Sequence, residues 1–135
     1  MLAADHQLAG RRVLWLREVL DEPMIMLDMG PSEQYYTTML RSVGITPAVR
    51  HRTASFESVR SLVARGIGWS LLIQRPAIDL SYEALPLATA EIRDDIEEVD
   101  VVLAVPAGMR LTRRTRAFVD FCLDACRSRP VQGAG

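Results

Sequence analysis

At 135 residues, with 49% apolar and 24% charged side chains, the chain has the composition of a globular protein of one domain, or of a lobe and a half of a two-lobed one; disorder and collagen-like repeats are excluded. A chain of this size buries roughly two thirds of the surface its unfolded form exposes, so a core forms without disulfides or a metal. Sixteen basic residues, every one an arginine, stand against seventeen acidic ones for a net charge of −1, which supplies none of the long-range attraction of a free-standing nucleic-acid binder.

Leu2-Ala3-Ala4 reads as the end of a strand, and Leu14 to Leu20 as a short amphipathic stretch. The apolar run Met24-Ile25-Met26-Leu27, bounded by Pro23 and by Asp28-Met29-Gly30-Pro31, predicts a buried strand ending in a turn. Ser32 is the expected N-cap of a helix in which Tyr36, Met39, Leu40 and Val43 recur at helical spacing until Gly44 closes it. Ala48 to Arg52 reads as a second strand. Ser55 caps a second helix with an apolar side of Phe56, Val59, Leu62 and Val63; Gly66 and Gly68 stop it, and Trp69 to Ile73 is the third strand. Strand, helix, strand, helix, strand with short connections predicts parallel pairing and right-handed crossovers, an α/β sheet covered by helices.

Past Pro76 a weakly structured stretch through Leu85-Pro86-Leu87 leads to the acidic residues Asp94, Asp95, Glu97, Glu98 and Asp100, which read as a solvated hairpin or edge. Val99 to Val105 is the expected last strand. Thr112 then caps a helix whose stripe is Phe118, Phe121, Cys122, Ala125 and Cys126, and the tail 128–135 is expected to be disordered. That last strand and helix have no preceding strand and helix to complete their own layer, so the chain reads as cut from something longer.

In open α/β sheets ligands bind outside the carboxyl ends of the strands, where loops lead into helix N-termini. Here that rim is Gly30, Ser32, Thr53, Ser55, Phe56 and Gln74. Gly30 admits close backbone approach, the two serines and Thr53 offer hydroxyls beside helix N–H groups, and Phe56 supplies an apolar wall, a combination suited to a small organic anion. Catalysis finds no such support. No nucleophile elbow, phosphate loop, dinucleotide fingerprint or zinc-protease helix occurs, and Gly66-Ile67-Gly68 follows a helix where a dinucleotide loop would precede one. His51 lies within a strand with no nucleophile or orienting carboxylate spaced to it. Cys122 and Cys126, four apart on one helix, make a poor disulfide pair and read as core thiols. With His6 and His51 far apart, no zinc site can be written, and no cofactor is expected. Arg113, Arg114 and Arg116 read as a solvated face. A charge at Asp5 precedes any signal-like apolar run and no stretch approaches about 18 apolar residues, which points to a cytoplasmic protein without a membrane span.

The segment Thr53 to Leu72, with its cap, its amphipathic helix ending Leu62-Val63-Ala64-Arg65-Gly66-Ile67-Gly68 and the apolar residues after it, resembles the effector-binding domain of LysR-type transcriptional regulators. Asp5-His6-Gln7-Leu8-Ala9 is similar to that family's "H-P-L-A" segment, with Gln7 in place of Pro, and Leu111 to Cys122 to its closing helix. The resemblance implies a fold like type 2 periplasmic binding proteins, with residues 8–75 the complete second lobe, 76–127 the return segment and closing part of the first, and the DNA-binding part absent. It implies a sensor of a small effector that is not an enzyme. An uncovered sheet edge and the Phe118, Phe121 and Cys122 stripe, expected to be partly exposed or buried against another copy, point to a homo-oligomer, and the near-zero net charge to no direct DNA contact. A solute-binding module of a transporter, which shares the fold, and a truncated oligomerising remnant without ligand are the competing readings.

Overall fold

The computed structural model describes residues 1–73, 76–97 and 102–127, with the side chains of Pro31, Ser32, Cys126 and Arg127 left aside. The chain is α/β and divides into two units, Met1–Glu98 and Val99–Gly135. The first carries β1 (Leu2–Ala3), β2 (Val13–Leu14), a 3-10 turn (Leu16–Glu18), β3 (Met24–Leu27), α1 (Pro31–Ser42), β4 (Val49–Thr53), α2 (Phe56–Ala64), β5 (Leu87–Ala88) and β6 (Glu91–Ile92); the second carries α3 (Arg113–Arg127).

All four residues of β3 are buried, the mark of a strand covered on both faces. It pairs in parallel with β4, first Met24 with Val49 and then, after a register shift that leaves Arg50 as the extra residue, Ile25 with His51, Met26 with Arg52 and Leu27 with Thr53. Successive strand residues point to opposite faces. Accordingly Arg52 reaches Glu33 of α1, whereas Thr53 borders the residues of α2, so the two helices cover opposite sides of the β3–β4 pair.

The expected third strand, Trp69 to Ile73, contracts to a single bridge. Trp69 N–H donates to the Pro23 carbonyl (3.0 Å) and its own carbonyl accepts from Ile25 N–H (2.8 Å). Ser70 N–H then donates to the Met1 carbonyl (3.1 Å), and β1 runs antiparallel to β5. Hydrogen bonding is thus continuous from β4 through β3 and Trp69-Ser70 to β1 and β5. Beyond Ser70 a side chain replaces the ladder: Ile73 N–H donates to the Tyr36 hydroxyl (3.3 Å), which burial holds protonated above the ordinary tyrosine range.

Both helices of this unit stop in the same way. After α1, Gly44 has φ 75°, its N–H donates to the Arg41 carbonyl (2.9 Å), and Ile45 N–H donates to the Leu40 carbonyl (2.8 Å). After α2, Gly66 has φ 70°, its N–H donates to Val63 O (2.9 Å) and Ile67 N–H to Leu62 O (3.2 Å). This left-handed closure satisfies the last carbonyls and favours glycine. Gly68 serves differently, because a Cβ there would overlap the Pro23 carbonyl. The Gly-x-Gly pair is therefore a helix stop followed by a close passage beside β3.

The return segment is more ordered than its composition suggests. Leu80 bridges Pro86, Leu87 N–H donates to Asp79 O (3.0 Å), and β5 begins at Leu87. Arg60 of α2, only 8% exposed, fastens this segment by donating to the carbonyls of Ile78 (2.6 Å) and Leu80. β2 and β6 pair in parallel, Val13 with Glu91 and Leu14 with Ile92, which replaces the expected single amphipathic stretch by a strand and a 3-10 turn. Asp94 departs from a purely solvated acidic run. Its carboxylate accepts from Leu16 N–H (2.8 Å) and anchors that turn, whereas Asp95 and Glu97 are exposed. Glu98 and Asp100 lie outside the described residues.

In the second unit Thr112 caps α3, its hydroxyl accepting from Thr115 N–H (3.2 Å). Residues 102–105 form no strand, since no strand of their own unit lies beside them among the described residues; 99–101 are outside those residues, as is the tail 128–135. On the stripe of α3, Phe118 is 61% and Phe121 69% exposed. Cys122 is free and half-buried, so it is not the core thiol the spacing implied; the Cys126 side chain lies outside the described residues.

Candidate functional site

The parallel pairing of β3 and β4 sends both chains out of the sheet at the same end, and there each leads into a helix. The two exits are joined by Asp28 N–H donating to the Thr53 carbonyl (2.9 Å). This places the N-termini of α1 and α2 at one edge, each with its dipole's positive end outward.

The two N-termini differ. Gly30, with φ 58° and ψ −114°, is the N-cap of α1, Pro31 occupies the first helical position, and no side chain caps the helix. Ser32 therefore sits inside the first turn and is not the expected cap, because proline's fixed φ and missing N–H suit it to open the helix one residue earlier. The N-cap residue of α1 thus offers no side-chain oxygen to the first-turn amides. In α2 the expected cap is present: Ser55 is extended (φ −100°, ψ 116°) and its hydroxyl accepts from Ser58 N–H (3.2 Å). The Thr53 hydroxyl also works locally, accepting from Ser55 N–H (3.1 Å). That bond gives the Thr53 hydroxyl a structural role beside the cap.

Phe56 opens α2, half-buried against the core, with the Arg60 guanidinium 5.9 Å from its ring centroid. Gln74 lies outside the described residues. Gly30, Ser32, Thr53, Ser55 and Phe56 thus share one end of β3 and β4, Ser32 by its backbone position. Beside them an open hollow of about 570 Å³ runs along α2, lined by Thr53, Glu57, Ser58, Ser61, Leu62, Tyr82 and Glu83. Glu83 is tied to Arg65 (2.7 Å), which holds its carboxyl below the ordinary glutamate range.

Two charged residues at this edge were not among the expected site residues. Arg52, directly across from Met26, donates to the Met26 sulfur (3.1 Å) and pairs with the Glu33 carboxylate in the first turn of α1. A signal existed: strand alternation puts Arg52 on the face opposite Thr53, towards the first helix. Among the described residues no group of three His, Cys, Asp or Glu side chains could hold a metal ion. No helix among them is long and apolar enough to cross a membrane. His51 is exposed on β4, and His6, the other histidine, is engaged with Glu22 (2.8 Å).

Comparison with known proteins adds to this geometry. The profile of the LysR substrate binding domain matches residues 1–127. The crystal structure of HinK, a LysR family transcriptional regulator from Pseudomonas aeruginosa, is 31% identical with a TM-score of 0.85, covering 92% of this chain and 43% of that one. The C-terminal domain of a probable LysR family transcriptional regulator from Rhodococcus sp. RHA1 is 35% identical with a TM-score of 0.72, over 90% of this chain and 60% of that one. Among curated proteins, the uncharacterized HTH-type transcriptional regulator YvbU of Bacillus subtilis (strain 168) is 25% identical over 123 residues, 89% of this chain and 40% of that protein. The chain therefore spans less than two thirds of the length of each of these relatives. The fold is shared at lower identity by the effector binding domain of QuiR in complex with shikimate (17%, TM-score 0.67, 95% of this chain and 60% of that one) and the regulatory domain of Synechocystis PCC6803 CcmR in complex with 2-PG (20%, TM-score 0.69, 96% and 62%).

Proposed function

This chain belongs to the LysR substrate binding domain family, and from that premise we propose that it is the effector-sensing part of a transcriptional regulator, as distinct from the part that binds DNA. The effector is a small organic anion. It lies at the edge formed by Gly30, Ser32, Thr53, Ser55 and Phe56, in a fold like that of type 2 periplasmic binding proteins, with residues 8–75 as one lobe and 76–127 as the return segment and part of the other. The observation that carries this reading is the pair of helix N-termini opening at one end of β3 and β4, joined through Asp28 and Thr53. Backbone N–H groups and dipoles aimed at a common space favour a carboxylate or phosphate. The ligands named for the QuiR and CcmR domains, shikimate and 2-PG, agree with that chemistry.

On this reading the domain binds without catalysing, acts in the cytoplasm, works as a homo-oligomer and leaves DNA contact to another part of the regulator. Near-zero net charge supports the last point, since phosphate contacts dominate non-specific DNA affinity. The test is a titration of the chain with shikimate and a panel of related carboxylates, followed by backbone amide shifts. Shifts clustered at Gly30, Thr53, Ser55 and Phe56 are expected; shifts confined to the other end of the helices, near Gly44 and Gly66, would place the site elsewhere.

A further inference from the structure

We propose that Arg52 is the side chain that recognises the anionic group of the effector, and that the Glu33 carboxylate holds its place while the domain is empty. The inference deepens the effector reading above and rests on it.

Arg52 enters this edge from β4 and Glu33 from the first turn of α1, so their ion pair joins the two elements whose ends form the proposed site. Both side chains are nearly half exposed, 46% and 42%, and the Met26 sulfur is the other acceptor of the guanidinium among the described residues. Thioether sulfur is a weak acceptor, so the carboxylate is the partner that matters. Glu33 also sits where the N-terminal dipole of α1 favours a negative charge, and the N-cap residue, Gly30, has no side chain to cap that turn. One intramolecular carboxylate thus meets both attractions an oxyanion ligand would meet: a guanidinium, and the positive end of a helix. An arriving carboxylate or phosphate takes over the Arg52 fork and releases Glu33 to solvent. Because an exposed pair of this kind is weak, the exchange has a small barrier to overcome. The same arrangement disfavours neutral ligands, which cannot replace the charge that Arg52 loses. It disfavours cations more strongly, since Glu33 would have to leave Arg52 to meet them.

The experiment uses the full 135-residue chain and sodium sulfate as the probe, with sodium chloride at matched ionic strength as the control. The Arg52 Nε–H resonance and the amides of Gly30, Glu33 and Thr53 report binding. In the Glu33→Gln variant, sulfate affinity at Arg52 is expected to rise about threefold, the size of an exposed ion pair; in Arg52→Gln the sulfate response of these amides should disappear. An unchanged amide spectrum away from the edge establishes that each variant is folded. Equal sulfate affinity in Glu33→Gln and the parent, or no response at Arg52 in either at 100-fold excess over protein, overturns the proposal. Sulfate binding at Ser55 that ignores both substitutions also overturns it, while leaving the effector edge in place. An effector later found to be neutral would do the same.

Discussion

The helices α1 and α2 end alike and begin differently, and on the proposed reading the difference separates what stabilises this fold from what would meet a ligand. Their C-termini share one device, a left-handed glycine whose amide and that of the following residue close onto the last carbonyls. At its N-terminus α2 is fastened by its own sequence, with Ser55 on the Ser58 amide and Thr53 on the Ser55 amide. At α1, Gly30 and Pro31 shape the entry, and the N-cap residue has no side chain with which to cap the first turn. A capped terminus is a finished structural joint. A helix start without a side-chain cap, beside the Arg52–Glu33 pair, is where the proposed site would take an anion.

The shared ends offer the hardest test. Gly68→Ala should be the most damaging of the glycine substitutions, about 3 kcal/mol at the upper end of overpacking costs, because the new methyl meets the backbone carbonyl of Pro23 and not a yielding side chain. Denaturant unfolding measures it, and a loss below that of the two helix-ending glycines would mean the passage beside β3 relaxes easily. Gly44→Ala and Gly66→Ala should each cost about 1–2 kcal/mol and should match one another, since both change a left-handed residue with open space around it. A large inequality between them would break the likeness of the two helix ends.

The beginnings should respond unequally. Ser55→Ala should lower stability by about 1 kcal/mol through loss of the α2 cap. Ser32→Ala, one residue inside the first turn of α1, should change it by less than about 0.5 kcal/mol. Thermal unfolding of the two variants side by side decides whether the serines are as different as their positions.

The smallest effect concerns a third way of beginning a turn. Glu18 reaches back to accept from Trp15 N–H (2.8 Å), and this bond, aided by Arg11, holds its carboxyl below the ordinary glutamate range. A depressed carboxylate pKa adds stability that is present above the unfolded value and is lost as pH falls through the folded one. Hydrogen exchange at the Trp15 amide, corrected for the intrinsic pH dependence, should therefore keep its protection down to the ordinary glutamate range and lose it below. In Glu18→Gln the pH dependence should flatten.

Where sequence reading succeeded and failed follows from the range of the forces involved. Ser55, Gly44, Gly66 and the four residues of β3 were legible because caps, left-handed stops and buried apolar runs are set by neighbours a few positions away. Ser32 misled for a local reason as well: two local rules competed, and proline's preference to open a helix outranked serine's preference to cap one. The shortened third strand was out of reach of local patterns. Trp69 to Ile73 has the composition of a strand, but how far it pairs depends on Pro23, Met1 and the Tyr36 hydroxyl, all distant in sequence.

The edge at the ends of β3 and β4 shows the same division. Composition, caps and the order of elements by themselves determined that this chain is α/β, that two helices start at one end of a parallel pair, and that Gly30, Thr53, Ser55 and Phe56 stand there. Strand alternation sets Arg52 opposite Thr53, but only tertiary structure decided that Glu33 meets it there. Arg52 meets Glu33 because a register shift at Arg50 sets Arg52 across from Met26 and beside the first turn of α1. A one-residue slip in a strand sends every side chain to the opposite face, and that register is fixed by packing between segments far apart in sequence, to which local propensity is blind.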